Sequence, residues 1–155
     1  MMARITEQLL GNVPEGIGAK DARRIAKSQY AERKELWLLL ADALEEAGQT
    51  KSRNPFKVGD MLYSEQTNVD FYVVQRVTKS SIVIAKIDSV VTPSEPGAMS
   101  GVCWPLTDPR GPVAVIGEPK MKRVQFTEYG PYVNLNSYSS AYAWDGKGKR
   151  CSWYR

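Results

Sequence analysis

Apolar residues recur along this chain at two different periods, and the change of period divides it. Across residues 22–47, Ala22, Ile25, Ala26, Leu36, Trp37, Leu40, Leu44 and Ala47 fall on one stripe at helical spacing. That stripe is polar in its middle, at Gln29 and Arg33. Asp21 predicts the N-cap and Gly48 the C-cap. A continuous helix over this segment would be about 39 Å long, which exceeds the diameter of a small barrel. Its basic first half therefore projects, or the helix breaks near Tyr30. Leu38 and Leu39 point away from the stripe. They read first as a second packed side of a core helix, and otherwise as half of a homodimer or partner interface. Upstream, residues 5–10 predict one or two helical turns, and residues 11–18 form a Gly/Pro loop.

After a polar linker at 49–55, the period falls to two. Residues 57–60 predict a turn into a strand at 61–64. A second strand follows at 70–78, with Phe71, Val73, Gln75 and Val77 on one face and Tyr72, Val74, Arg76 and Thr78 on the other. Lys79 and Ser80 turn the chain into a third strand at 81–87. Residues 92–119 hold 6 of the 9 prolines and 4 of the 12 glycines, so they predict a long loop with at most one short strand near 113–116. Trp104 in that loop either tucks under the rim of the sheet or stands out as an aromatic finger. Strands resume at 121–126, with Val124 and Phe126 inward, and at 132–138. There Val133 and Leu135 must face inward, because the opposite choice buries Asn134 and Asn136. Tyr132, Asn134, Asn136 and Tyr138 then form an outward ladder. Asp145-Gly146 predicts a hairpin that folds residues 142–144 back on 147–153.

These elements predict an α+β fold. An N-terminal helix or helical hairpin (1–54) packs on or beside a small, strongly curved antiparallel sheet or SH3-like barrel (55–155) with a long loop at 92–119.

Composition narrows the chemistry. The chain contains no histidine, which removes the usual general base, the commonest zinc ligand and every Ser-His or Cys-His pair. Cys103 and Cys151 are too few for a zinc site or a disulfide framework, so a reduced, cytoplasmic protein is expected, without metal, cofactor or catalytic residues. No apolar run reaches the length needed to cross a bilayer, and no secretory leader is evident. Net charge is +4, and residues 118–155 alone carry 7 Lys/Arg against 3 Asp/Glu with 8 of the 15 aromatics. Cations interleaved with flat rings suit phosphates and bases. The candidate contact surface is Lys122, Arg123, Tyr132, Asn134, Asn136, Tyr138, Tyr142, Trp144, Lys147, Lys149 and Arg150. Against that reading, half of the rings are core and the charges are a solvated rim.

Several short motifs act together: Gln66 to Tyr72 (QTNVDFY), Lys122-Arg123-Val124-Gln125, Asn136-Ser137-Tyr138, Ala141 and Trp144-Asp145-Gly146-Lys147. As a set they resemble a family of small proteins scattered through phages and mobile elements. The resemblance covers roughly residues 56–155 and leaves out the N-terminal helix. Family members carry a Trp- and Gly-containing insertion after the first strand, whereas here Ser64-Glu65 leads directly into Gln66. The resemblance implies an accessory protein acting in a host-cell cytoplasm by binding. Its expected partner is nucleic acid or a nucleoprotein complex; the alternative is a host defence protein, blocked in the manner of an anti-CRISPR inhibitor.

Overall fold

Helix α1 (Ala19–Ala26) begins two residues before the expected cap, and the reason lies in the segment expected to be a linker. In the computed structural model, which describes residues 13–65, 69–93, 95, 97, 100–106 and 115–152, the first helical N–H groups already have partners. Ala19 and Lys20 donate to the carbonyls of Gln49 and Thr50, and Gly18 donates to Ser52 Oγ at 2.8 Å. Asp21 sits inside the first turn, where its carboxylate accepts from the Ser52 hydroxyl and Arg24. A side chain on Gly18 would collide with the Lys51 backbone 2.3 Å from its Cβ, so only glycine permits this approach. Residues 49–53 are thus tied down, and Asp21 is not the N-cap.

The long helix is interrupted. Lys27, Ser28 and Gln29 donate to carbonyls three residues back, and Tyr30 is extended. Helix α2 (Ala31–Glu46) then buries Trp37, Leu40, Ala41 and Leu44 at i, i+3, i+4 and i+7. It ends as expected: Gly48 takes φ +83°, its N–H meets Glu45 and that of Gln49 meets Leu44. Leu38 and Leu39 are exposed rather than packed. Arg23 links the two helices by ion pairs to Asp42 and Glu45. Among the described residues, 13–55 form one compact unit with 124–131. Within it, Arg24 donates to the Phe126 carbonyl at 2.7 Å, Arg33 pairs with Glu128, and Val124 and Phe126 are buried as expected. The turns expected at 5–10 lie outside the described residues. Among the described residues, no helix is long and apolar enough to cross a membrane.

The second unit takes the described residues of 56–123 and 132–152, and among them its strand pairings are antiparallel. Strands β1 (Met61–Ser64), β2 (Asp70–Val77) and β3 (Ser81–Ile87) form the expected meander. A bulge at Gln75 shifts the register of β2 against β3, and Val73 and Val74, on opposite faces just before it, are both buried. The Pro/Gly-rich region is not a plain loop. Strand β4 (Ser89–Pro93) follows β3 after one residue, and β5 (Ser100–Pro105) pairs with it. Their prolines stand at strand ends, where no ladder donor is needed. Of the strand expected near 113–116, Val115 forms an isolated bridge to Ile87; residues 113 and 114 lie outside the described residues.

The expected 121–126 strand is split into β6 (Lys120–Arg123) and β7 (Gln125–Thr127), the latter in the helical unit. Strand β8 (Gly130–Asn134) stops short of the expected Tyr138; β9 (Ser140–Ala143) and β10 (Lys149–Ser152) complete the set. The larger sheet of the unit runs β6-β3-β2-β1-β9-β8, and the smaller runs β10-β5-β4. Within the unit the larger sheet curves far enough that Lys122 Nζ on β6 donates to the Leu135 carbonyl just past β8 at 3.2 Å. The expected α+β architecture with a nearly closed antiparallel sheet is therefore the one observed.

Between the two sheets lie Val69, Phe71, Val73, Ile87 and Cys103, flanked by Met61, Tyr63, Trp144 and Cys151. The two cysteines, expected as free thiols, are joined as a cystine that links β5 to β10. Burying nonpolar area of this kind contributes roughly 25 cal/mol per Å² and is the main force holding the two sheets together.

Candidate functional site

The residues expected to form one contact surface are distributed over two faces of the larger sheet. On one face, Tyr63 of β1, Tyr142 of β9 and Tyr132 of β8 are direct cross-strand neighbours. Their rings form a row, with centroids 6.3 Å apart for Tyr63–Tyr142 and 6.0 Å for Tyr132–Tyr142. Lys149 Nζ lies 4.2 Å from the centre of the Tyr63 ring, a cation–π contact. The same ammonium pairs with Asp145 at 3.0 Å, and the side chain is only 12% exposed. Burial lowers the Lys149 pKa, but Asp145, Tyr63 and Glu65 together outweigh it and hold the ammonium above the usual lysine value. Asp145 is held below the usual carboxyl range, first by the Lys147 backbone N–H and then by Lys149.

Trp144 is not available for stacking. It packs edge-on against Phe71 at 5.9 Å, and its indole N–H donates to the Lys147 carbonyl at 2.8 Å. The predicted hairpin across Asp145-Gly146 is a sharp turn instead. Strand β9 stays in the larger sheet, while β10 crosses to pair with β5. Of the segment expected to fold back, Trp153 lies outside the described residues. Lys147 is exposed in the turn; Arg150, also exposed, alternates with Lys149 and so points to the other side of β10. Trp104 is neither pinned under a rim nor raised on a loop. It is an exposed residue of β5, on the side away from Cys103, with Gly148 laid against its ring.

The outward ladder is only partly formed. Val133 is fully buried, and Tyr132 and Asn134 extend outward from β8 as expected. Leu135, expected inward, is only half-buried. The strand ends there because the Asn136 carboxamide accepts from the Tyr138 and Ser139 N–H groups and from the Ser139 hydroxyl. Asn134 accepts from the Ser140 hydroxyl. Tyr138 is 72% exposed, but on this turn rather than on a strand.

Lys122, Asn136 and Tyr138 instead line a cavity of about 380 Å³ on the opposite sheet face. Side chains alternate along β1, so Ser64 faces this cavity while Tyr63 faces the tyrosine row. Arg123, the neighbour of Lys122, alternates away from the cavity. The cavity also takes in Tyr72, Lys86, Lys120 and Ser139, none of which the sequence marked as a site. The available signal was the spacing of Lys120 and Lys122, two apart in a strand and therefore on one side.

Compared with protein-family models, curated proteins and solved structures, the chain matches none.

Proposed function

We propose that this protein is a non-catalytic, phage-type accessory protein that binds single-stranded nucleic acid on the tyrosine row. The observation that supports the reading is the alignment of Tyr63, Tyr142 and Tyr132 on three adjacent strands. Flat rings displayed side by side on a sheet accept successive bases without sequence preference. Lys147, exposed in the adjoining turn, supplies positive charge for the backbone, while Lys149 is already paired with Asp145. One free cation predicts a slight salt dependence, a log–log slope of about −0.7 for a single strand.

The test is fluorescence anisotropy of a labelled oligo-dT against the full chain, with a duplex of equal length as comparison. Tyr142 is 43% exposed, so Tyr142→Ala leaves the core intact. Loss of one stacked base is expected to weaken binding by about 5- to 150-fold, from 1–3 kcal/mol per base. Absence of oligo-dT binding at low salt, or unchanged affinity in Tyr142→Ala and Tyr132→Ala, overturns the reading. A stoichiometric protein partner retained from nuclease-treated lysate would favour the inhibitor role instead.

A further inference from the structure

We propose that the cavity on the opposite face of the larger sheet is a binding site for a small organic anion of mononucleotide size. Its volume, about 380 Å³, lies within the range of pockets that enclose small molecules. Three features of its lining point to an anion.

The first is a pair of unspent hydroxyls. Ser64 lines the cavity, and its Oγ makes no hydrogen bond within the protein among the described residues, so the hydroxyl is open to an occupant. The Tyr72 hydroxyl, directly across the sheet from Lys86, also lacks a partner among the described residues. Burial, and then the nearby Asp70 carboxylate, push its pKa up, so it remains a protonated donor.

The second is charge. Lys86, Lys120 and Lys122 oppose Asp70 and Glu118, an excess of one positive charge. Lys86 is paired with Asp70 at 3.2 Å. Lys122 uses one of its three donors on the Leu135 carbonyl. Lys120 has neither an ion pair nor a hydrogen bond among the described residues. Lysines on an edge strand also guard it against pairing with other chains, and that role alone would account for Lys120. It does not account for Ser64 and Tyr72, which are drawn to no protein partner.

The third is the apolar part of the lining. Ile84, Leu135 and the Tyr138 ring give an apolar body a place beside the ammonium groups. An oxyanion head with a flat or apolar body meets both halves; phosphate and carboxylate share that chemistry.

The experiment is a titration of the full isotope-labelled chain, followed by amide chemical shifts, with AMP, 4-hydroxyphenylacetate and adenosine as probes. Saturable shifts at Ser64, Tyr72, Lys86 and Ser139 with at least one anion are expected, and adenosine should bind about tenfold more weakly or not at all. Shifts with AMP alone identify a phosphate ligand; shifts with the carboxylate alone identify a carboxylate. Lys120→Ala and Ser64→Val should each weaken binding about tenfold with the remaining spectrum unchanged. Lys120 is exposed, so its variant keeps the test valid even if Ser64→Val disturbs β1. No saturable shift at millimolar anion, equal binding of adenosine, or unaltered affinity in both variants overturns the proposal. Because Lys120 and Ser64 lie opposite the tyrosine row, oligo-dT binding should be unaffected by either variant, and the two sites fail or stand separately.

Discussion

Reducing the Cys103–Cys151 bond should destabilise the β unit far more than the loss of any single surface contact. The two residues are 48 apart in sequence, and their Cα atoms are 6.1 Å apart. In the chain-entropy account, opening such a loop returns about 14 cal/mol/K to the unfolded chain, or about 4 kcal/mol at room temperature. Reduction leaves both sulfurs in place. Cys103 therefore still fills its position beside Val69, Phe71, Val73 and Ile87, and little packing is lost. Replacing both residues by alanine adds a cavity, worth roughly 1 kcal/mol more. The assay is urea denaturation with and without a phosphine reductant, followed by circular dichroism, with thiols counted before and after. With a urea dependence of about 2 kcal/mol/M, the midpoint should fall by about 2 M on full reduction, and slightly further in the double alanine variant. Two free thiols in the native, untreated protein would refute the reasoning. So would an unchanged midpoint after complete reduction.

Two further outcomes follow from the β9–β10 turn. A Cβ at position 148 would stand 2.2 Å from Val102 Cγ1 and 2.7 Å from the Trp104 ring, so Gly148→Ala should cost about 1–3 kcal/mol of stability and alter Trp104 emission in a urea melt. Asp145 titrates below an ordinary carboxyl in the folded chain, so its contribution is complete above the ordinary carboxyl range and is lost as pH falls through the depressed value. The Trp144 indole N–H resonance should therefore hold steady down to that value and then move, and Asp145→Asn should abolish the acid step; persistence of the step in the variant assigns it elsewhere.

Local pattern carried the meander well. Strands β1 and β3 have the expected bounds, because an apolar–polar alternation bracketed by turn residues leaves few alternatives. What escaped the sequence depended on contacts between distant residues. Asp21 looked like a cap, but the carbonyls of Gln49 and Thr50 reach the helix start first. Pro93 and Pro105 suggested a loop, yet they close the ends of β4 and β5. The alternation through Leu135 suggested a strand to Tyr138, but one carboxamide, that of Asn136, offers three donors a better local partner. The candidate surface was divided for the same reason. Lys122 and Tyr132 come from the same C-terminal region, but strand alternation places their side chains on opposite faces. Tyr63 and Ser64, which anchor the two faces, are adjacent residues in a strand too short to signal either role.

Strand β6 and the end of β8, which are not ladder neighbours, are joined by a side chain, Lys122. That ammonium is also a wall of the cavity. An ammonium has three donors, so an occupant takes up the two that the Leu135 carbonyl leaves. One side chain then holds guest and strand together, and a filled cavity would tighten the place where β6 reaches the end of β8.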